Sequence, residues 1–202
     1  MNIPHFAWNA ETIGFWGTIF FTFLVSWGLW QQKKSIWKNQ SGKSIPVALF
    51  SFSAFMTVTI LLYGLSLKNL ALSINGFLYA LIYIPIIVGL WKFKGFTKLE
   101  KILFLSFASV TVLNIVLPFK EWFFFGFSLA SMAISLMLPI EIYRNKSIGV
   151  VNIRFIVTSF VNTIFWLIYG IAIDNWILKI TNPYYLILGA INIALWLKYR
   201  KS

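Results

Sequence analysis

Residues 69–91 read NLALSINGFLYALIYIPIIVGLW, a stretch without a single charge, closed by Lys68 on one side and Lys92 on the other. The hydrocarbon core of a bilayer is about 30 Å thick, and a helix crosses it with about 20 apolar residues at ~1.5 Å each. The stretch is long enough. It also lacks the alternation of a barrel strand, because Leu81-Ile82-Tyr83-Ile84-Pro85-Ile86-Ile87-Val88 carries bulky side chains at successive positions. No water is present at that depth to satisfy an open backbone, so the segment reads as a transmembrane helix.

Six more charge-free runs lie outward from it, at 12–32, 44–67, 102–119, 122–140, 155–173 and 180–197. Seven spans are therefore expected, and little of the 202-residue chain remains for loops. A soluble catalytic domain does not fit. Only 11% of the residues are charged, against about 25% in a soluble domain, which excludes a water-soluble globule.

The net charge of +12 is unevenly placed. When the longer basic stretches are assigned to the cytoplasm, only Lys68, Lys120 and Lys179 fall outside, and the other fourteen Lys and Arg fall inside. This positive-inside pattern predicts an external N-terminus and a cytoplasmic C-terminus in a plasma or bacterial inner membrane. Attraction to anionic lipid accounts for the same charges, so nucleic acid is not an expected partner. Met1 to Glu11 lacks the basic region of a signal peptide, and the first span reads as retained.

The chain has no cysteine, and its one histidine, His5, has no companion ligands. The spans contain no Ser/His pair and no paired carboxylates, so no catalytic residues, metal or cofactor are expected.

The chain also repeats itself. Shifted by 106 residues, Gln31–Gly64 aligns with Met137–Gly170 and matches Ile36/Ile142, Asn39/Asn145, Ser41/Ser147, Ser53/Ser159, Thr57/Thr163, Leu61/Leu167, Tyr63/Tyr169 and Gly64/Gly170. With one further residue of offset, Asn75 pairs with Asn182, each read as a polar break between apolar stretches. The unit of repetition is three spans. Three spans reverse the chain across the bilayer, so a single connecting span lets both copies face the same way. The expected fold is an all-α integral membrane protein of seven transmembrane helices in a 3+1+3 arrangement. Its parts are a first repeat at 1–95, a linker helix at 96–121 and a second repeat at 122–202.

The segment from Gln31 to Gly42, followed by Tyr63-Gly64 and Asn75, resembles the PQ-loop repeat of the SWEET (MtN3/saliva) sugar transporters. The second copy resembles it more closely, with Tyr143-Arg144-Asn145-Lys146-Ser147, then Phe165 to Gly170, then Asn182. Gln31-Gln32 stands at the first PQ, and at the second Met137-Leu138 is followed by Pro139. Pro46 opens span 2, and Asn152 takes the corresponding place before span 6. The resemblance implies facilitated diffusion of a small sugar by alternating access. It makes Asn75 and Asn182 substrate-binding residues, with Trp166 lining the site opposite Ile60. Gln31, Gln32, Pro46, Pro139, Tyr63 and Tyr169 become gate or hinge positions.

Each residue also has a plainer reading. Buried amides glue membrane helices together. A tryptophan in mid-span, as Trp166 is, also packs against neighbours or lipid, and Gln31, Gln32 and Pro139 also suit ordinary helix ends. Trp8, Trp37, Trp91, Trp122, Trp176 and Trp196 read as headgroup anchors. Pro85 reads as a static kink, and Glu141 as a solvated helix end. Lys179, three residues before Asn182, is either a vestibule charge that draws in an anion or a side chain snorkelling to the headgroups. The absence of acidic residues at bilayer depth favours passive over proton-coupled transport. Asn39-Gln40-Ser41 and Asn145-Lys146-Ser147 spell glycosylation acceptors but fall on the cytoplasmic side. The alternatives are transport of an amino acid, organic acid or vitamin precursor on the same fold, or a membrane receptor. A homo-oligomer is compatible with either.

Overall fold

The computed structural model describes residues 7–42, 45–146 and 153–200, without the side chains of Glu141, Asn145 and Phe155. His5, Lys43, Ser147, Asn152 and Lys201 lie outside the described residues. Within them the chain is all helix and turn: α1 (Ala10–Asn39), α2 (Val47–Ser66), α3 (Leu70–Phe93), α4 (Lys98–Val116), α5 (Lys120–Ser135), α6 (Met137–Asn145), α7 (Ile153–Ala172) and α8 (Trp176–Tyr199). Helices α1, α2, α3, α4, α8 and the joined run Lys120–Arg144 are each long and apolar enough to cross a membrane, and Ile156–Ala172 in α7 is a shorter apolar helix.

Two elements differ from the sequence reading. The helix of the first span does not stop at Gln31 and Gln32, because α1 continues to Asn39. Gln and Lys are good helix formers, and no proline interrupts them. The fifth charge-free run is two helices, broken at Leu136. Pro139 has no N–H to offer the Ser135 carbonyl and its ring crowds that oxygen, so the break falls just before the proline, which then sits in the tolerant first turn of α6. By contrast α3 runs through Pro85 from Leu70 to Phe93 without interruption.

The hairpins α2–α3 and α7–α8 are built alike, position for position, at a spacing of 106. Tyr63 O accepts from Leu67 N (3.1 Å) and Gly64 O from Asn69 N (2.8 Å). Tyr169 O accepts from Ile173 N (3.0 Å) and Gly170 O from Asn175 N (2.9 Å). Lys68 and Asp174, with φ of 53° and 55°, make the same left-handed turn that ends a helix. Asn69 then caps α3 by accepting from Leu72 N, as Asn175 caps α8 by accepting from Leu178 N. The glycines permit this closeness. A Cβ on Gly64 would lie 2.7 Å from Ser73 N, and one on Gly170 would lie 2.5 Å from Leu178 Cβ.

The chain packs as two compact units. One spans Ser26–Ser128, and the other joins the α1 segment ending at Val25 to the residues from Leu129 onward. In the first, Leu29, Ile36, Ile45, Val47, Ile86, Leu90 and Phe96 form a buried cluster. Trp37 is more than an anchor there, since its Nε1 donates to Pro85 O (2.9 Å) and ties the end of α1 to α3. The Lys94 ammonium donates to Ile45 O (2.7 Å). Lys120 closes the end of α4 by donating to the carbonyls of Asn114, Ile115 and Leu117.

In the second unit, α1 lies directly on α7. A Cβ on Gly14 would come within 2.8 Å of Tyr169 Cα and N, and one on Gly17 within 2.0 Å of the Phe165 ring. Small residues that let backbones approach are a common means of joining helices inside a membrane.

Candidate functional site

In the first unit, α2 and α3 are in close contact at Leu61 and Gly76, where an added Cβ would lie 2.4 Å from Leu61 N. In this antiparallel pair Ile60 lies one residue farther from the turn than the contact and Asn75 one residue nearer to it, about 3 Å apart along the helices. Asn75 is buried at 4% exposure, and Ile60 is half-buried. Tyr63, one turn along α2, is buried and stacks on Phe124 of α5, with ring centroids 4.6 Å apart at 20°.

In the second unit, the antiparallel hairpin closes at Gly170 and Leu178. Trp166 lies four residues before the first and Asn182 four residues after the second. Both therefore sit at one level, about 6 Å along the helices from that contact. Asn182 is 6% exposed, and its Nδ2 donates to Leu178 O (2.8 Å). Trp166 meets Tyr169 edge-on at 6.2 Å, and Tyr169 meets Phe15 of α1 edge-on at 6.0 Å.

The pairing of Asn75 with Asn182 does not follow the backbone symmetry. Asn75 is six residues after its cap Asn69, but Asn182 is seven after its cap Asn175. From the caps, the residue equivalent to Asn75 is Thr181, whose hydroxyl donates to Ile177 O, and the residue equivalent to Asn182 is Gly76. One residue is about 100° of rotation at 3.6 residues per turn, so the two helices present their amides at different azimuths.

Among the hinge candidates, Gln31 is exposed and Gln32 half-buried within unbroken α1, and Pro46 is the N-cap of α2. Pro139 is buried just after the break at Leu136. The Lys179 ammonium forms an ion pair with Asp174 at the head of α8. Hydrogen bonding by Lys179, and then its charge, hold the Asp174 carboxyl below its ordinary range.

The sequence reading missed Asn162. It lies one turn before Trp166 on the same face of α7, is 8% exposed, and its side-chain oxygen has no partner among the described residues. Its signal was a polar residue four before an aromatic within an apolar run. Asn69 and Asn175, also missed, showed themselves as asparagines that directly precede long apolar runs at the repeat spacing.

Residues 119–202 match the MtN3 family, described as the sugar efflux transporter for intercellular exchange. Asn162, Trp166, Tyr169 and Asn182 all lie inside that segment. No curated protein matches the chain. The solved structure of a eukaryotic SWEET transporter, at 3.7 Å resolution, is similar over 96% of this chain and 98% of its own, with a TM-score of 0.73 and 16% identity. That likeness establishes the fold. The second part of the chain thus matches the MtN3 family model, and the chain along its length has the fold of a SWEET transporter, that of an integral membrane protein.

Proposed function

We propose that the protein is a uniporter that equilibrates a small neutral sugar across the membrane by alternating access. The supporting observation is the level placement of Trp166 and Asn182 in a segment that matches a sugar efflux family. An indole face suits the C–H side of a sugar ring, and an amide both donates to and accepts from hydroxyls. Asn75, Asn182 and Asn162 supply the polar contacts, and Trp166 and Ile60 the apolar ones. Tyr63, Tyr169 and Pro139 act as gate and hinge, and Gln31, Gln32 and Pro46 bear on the gate through the helix lengths they set.

The spans carry no acidic residue within their charge-free runs, which supports passive movement over proton coupling. The pairing of Lys179 with Asp174 leaves a matched charge rather than a lone cation at the head of α8, which supports a neutral solute. The topology behind this reading is 3+1+3, with the N-terminus outside and the C-terminus in the cytoplasm.

Proteoliposomes loaded with labelled mono- and disaccharides test the reading. At least one sugar equilibrates without an imposed gradient, shows counterflow and ignores a protonophore. Asn75→Ala and Asn182→Ala each lower its uptake by about tenfold, the equivalent of about 1.4 kcal/mol for a lost hydrogen bond. Uptake displaced by amino acids or organic acids, with no sugar effective, replaces sugar by the other metabolite classes. Wild-type uptake in both variants removes these amides from the mechanism.

A further inference from the structure

The internal repeat supplies its own control for one group of residues that no role above absorbs. In the second copy, the break at Leu136 sits beside a pair of bonds from α8. Tyr184 Oη donates to Met132 O (2.5 Å), and Ser135 Oγ donates to the same carbonyl (2.9 Å). The next residue, Tyr185, is hydrogen-bonded to Ser131. Two adjacent tyrosines of α8 thus hold the last turn of α5, directly before the chain breaks and restarts as α6. Tyr184 is also two residues beyond Asn182 and directly follows Pro183, which cannot donate to the carbonyl four residues back.

The first copy has Tyr79 where Tyr185 is, but differs at the break and at the latching hydroxyl. At the repeat spacing, Lys33 stands where Pro139 is, and α1 passes through that level unbroken. Leu78, which has no hydroxyl, stands where Tyr184 is. The C-terminal end of α1 is instead tied down by Trp37, which donates to Pro85 O, and by the close approach of Ile36 to Gly89. Trp37's counterpart Tyr143 is 62% exposed. A latch and a break therefore occur together in one copy and are both absent from the other.

We propose that Tyr184 is a positioning residue, whose bond to the Met132 carbonyl couples the substrate-bearing helix α8 to a pivot at Leu136. Movement within the second copy is then concentrated in α6, while the end of α1 stays fixed on α3. The proposal rests on the transporter reading and on Pro139 as hinge. This part-buried bond between a hydroxyl and a carbonyl can be released without exposing a buried charge. Rotation of α8 around Asn182 reaches α6 through it.

The chain lacks cysteine, so single substitutions place spectroscopic labels cleanly. Nitroxides at Tyr143→Cys on α6 and Leu197→Cys on α8, both exposed, report the spacing of these helices in the reconstituted protein. Tyr184→Phe removes one hydroxyl and shifts the ratio of short to long spacings by about threefold to eighteenfold, the Boltzmann equivalent of about 0.6–1.7 kcal/mol for a membrane hydrogen bond. Pro139→Ala narrows the distribution, and in that background Tyr184→Phe has no further effect, because the latch acts only through the break. An unchanged distribution in Tyr184→Phe, or equal shifts with and without Pro139, overturns the proposal. Spacings are read without any substrate, so failure of the sugar assignment leaves this test intact. Ser135→Ala, which removes the donor to Met132 O from within α5 and keeps the bond from α8, is the control: it leaves the spacings unchanged, and a shift equal to that of Tyr184→Phe overturns the proposal.

Discussion

Gly14 and Gly126 separate a real helix contact from a coincidence of composition. Alanine at Gly14 puts a Cβ 2.8 Å from Tyr169 Cα and N and 2.9 Å from Tyr169 Cβ, whereas alanine at Gly126 meets nothing within 4 Å. Carbon atoms rest at about 3.5–4.0 Å, so Gly14→Ala must push α1 and α7 apart by about an ångström over one turn. The obstacle is backbone, which has no rotamer to retreat into. Overpacking of this kind costs about 1–3 kcal/mol, partly offset by the ~1 kcal/mol that alanine gains over glycine in a helix. Gly126→Ala keeps that gain without the clash. Thermal unfolding in detergent should rank Gly126→Ala at or above wild type and Gly14→Ala below it. Uptake should fall with Gly14→Ala as well, because Tyr169 and its neighbour Trp166 move with α7. Equal melting of the two variants would mean that α1 does not lie on α7.

Three further outcomes follow from the site and its supports. A sugar present at about ten times its dissociation constant stabilises the wild type by about 1.4 kcal/mol, and a tenfold weaker Asn182→Ala retains about 0.4 kcal/mol; an equal ligand-induced rise in melting temperature excludes Asn182 from the site. Asn69→Ala and Asn175→Ala each remove a cap and lower stability by about 0.5–2 kcal/mol to a similar extent, and a loss at only one of them contradicts the likeness of the two hairpins. The Asp174 carboxyl is held below its ordinary value of 3.8, so its bond to Lys179 contributes fully above that value and is lost as the pH falls through the lower folded value. Melting temperatures of wild type and Asp174→Asn accordingly converge below pH 3.8, and a gap that widens on acidification reverses the sign.

The charge-free runs foretold the apolar helices because a bilayer imposes one demand, length without charge, that composition alone reveals. The repeat foretold the paired hairpins because Tyr63-Gly64 and Tyr169-Gly170 are the residues that shape them. The continuation of α1 to Asn39 was not legible in the same way. Loss of charge-free character at Lys33 marks where the hydrocarbon ends, not where the helix does, and Lys side chains extend a helix into water readily. The break at Leu136 was legible only through Pro139, and the role of Trp37 was hidden because its acceptor, Pro85 O, lies 48 residues away.

The slip between Asn75 and Asn182 carries the last step. Aligned by residue type, the two amides look like symmetric halves of one grip, but their helices start in register and the amides do not. Gene duplication repeats the backbone; selection for a ligand acts on where side chains point. Two identical amides would suit a ligand with twofold symmetry, and a sugar has none. An offset of about 100°, with Trp166 in one copy where the other has Ile60, is what an asymmetric ring with unlike faces calls for. Moving the second amide into register tests this directly: Asn182→Gly with Thr181→Asn restores the symmetry of the first copy while keeping one amide in each. If the offset serves recognition, the double variant folds and loses uptake; if it binds sugar as the wild type does, the slip is neutral drift and the ligand reads only the presence of an amide.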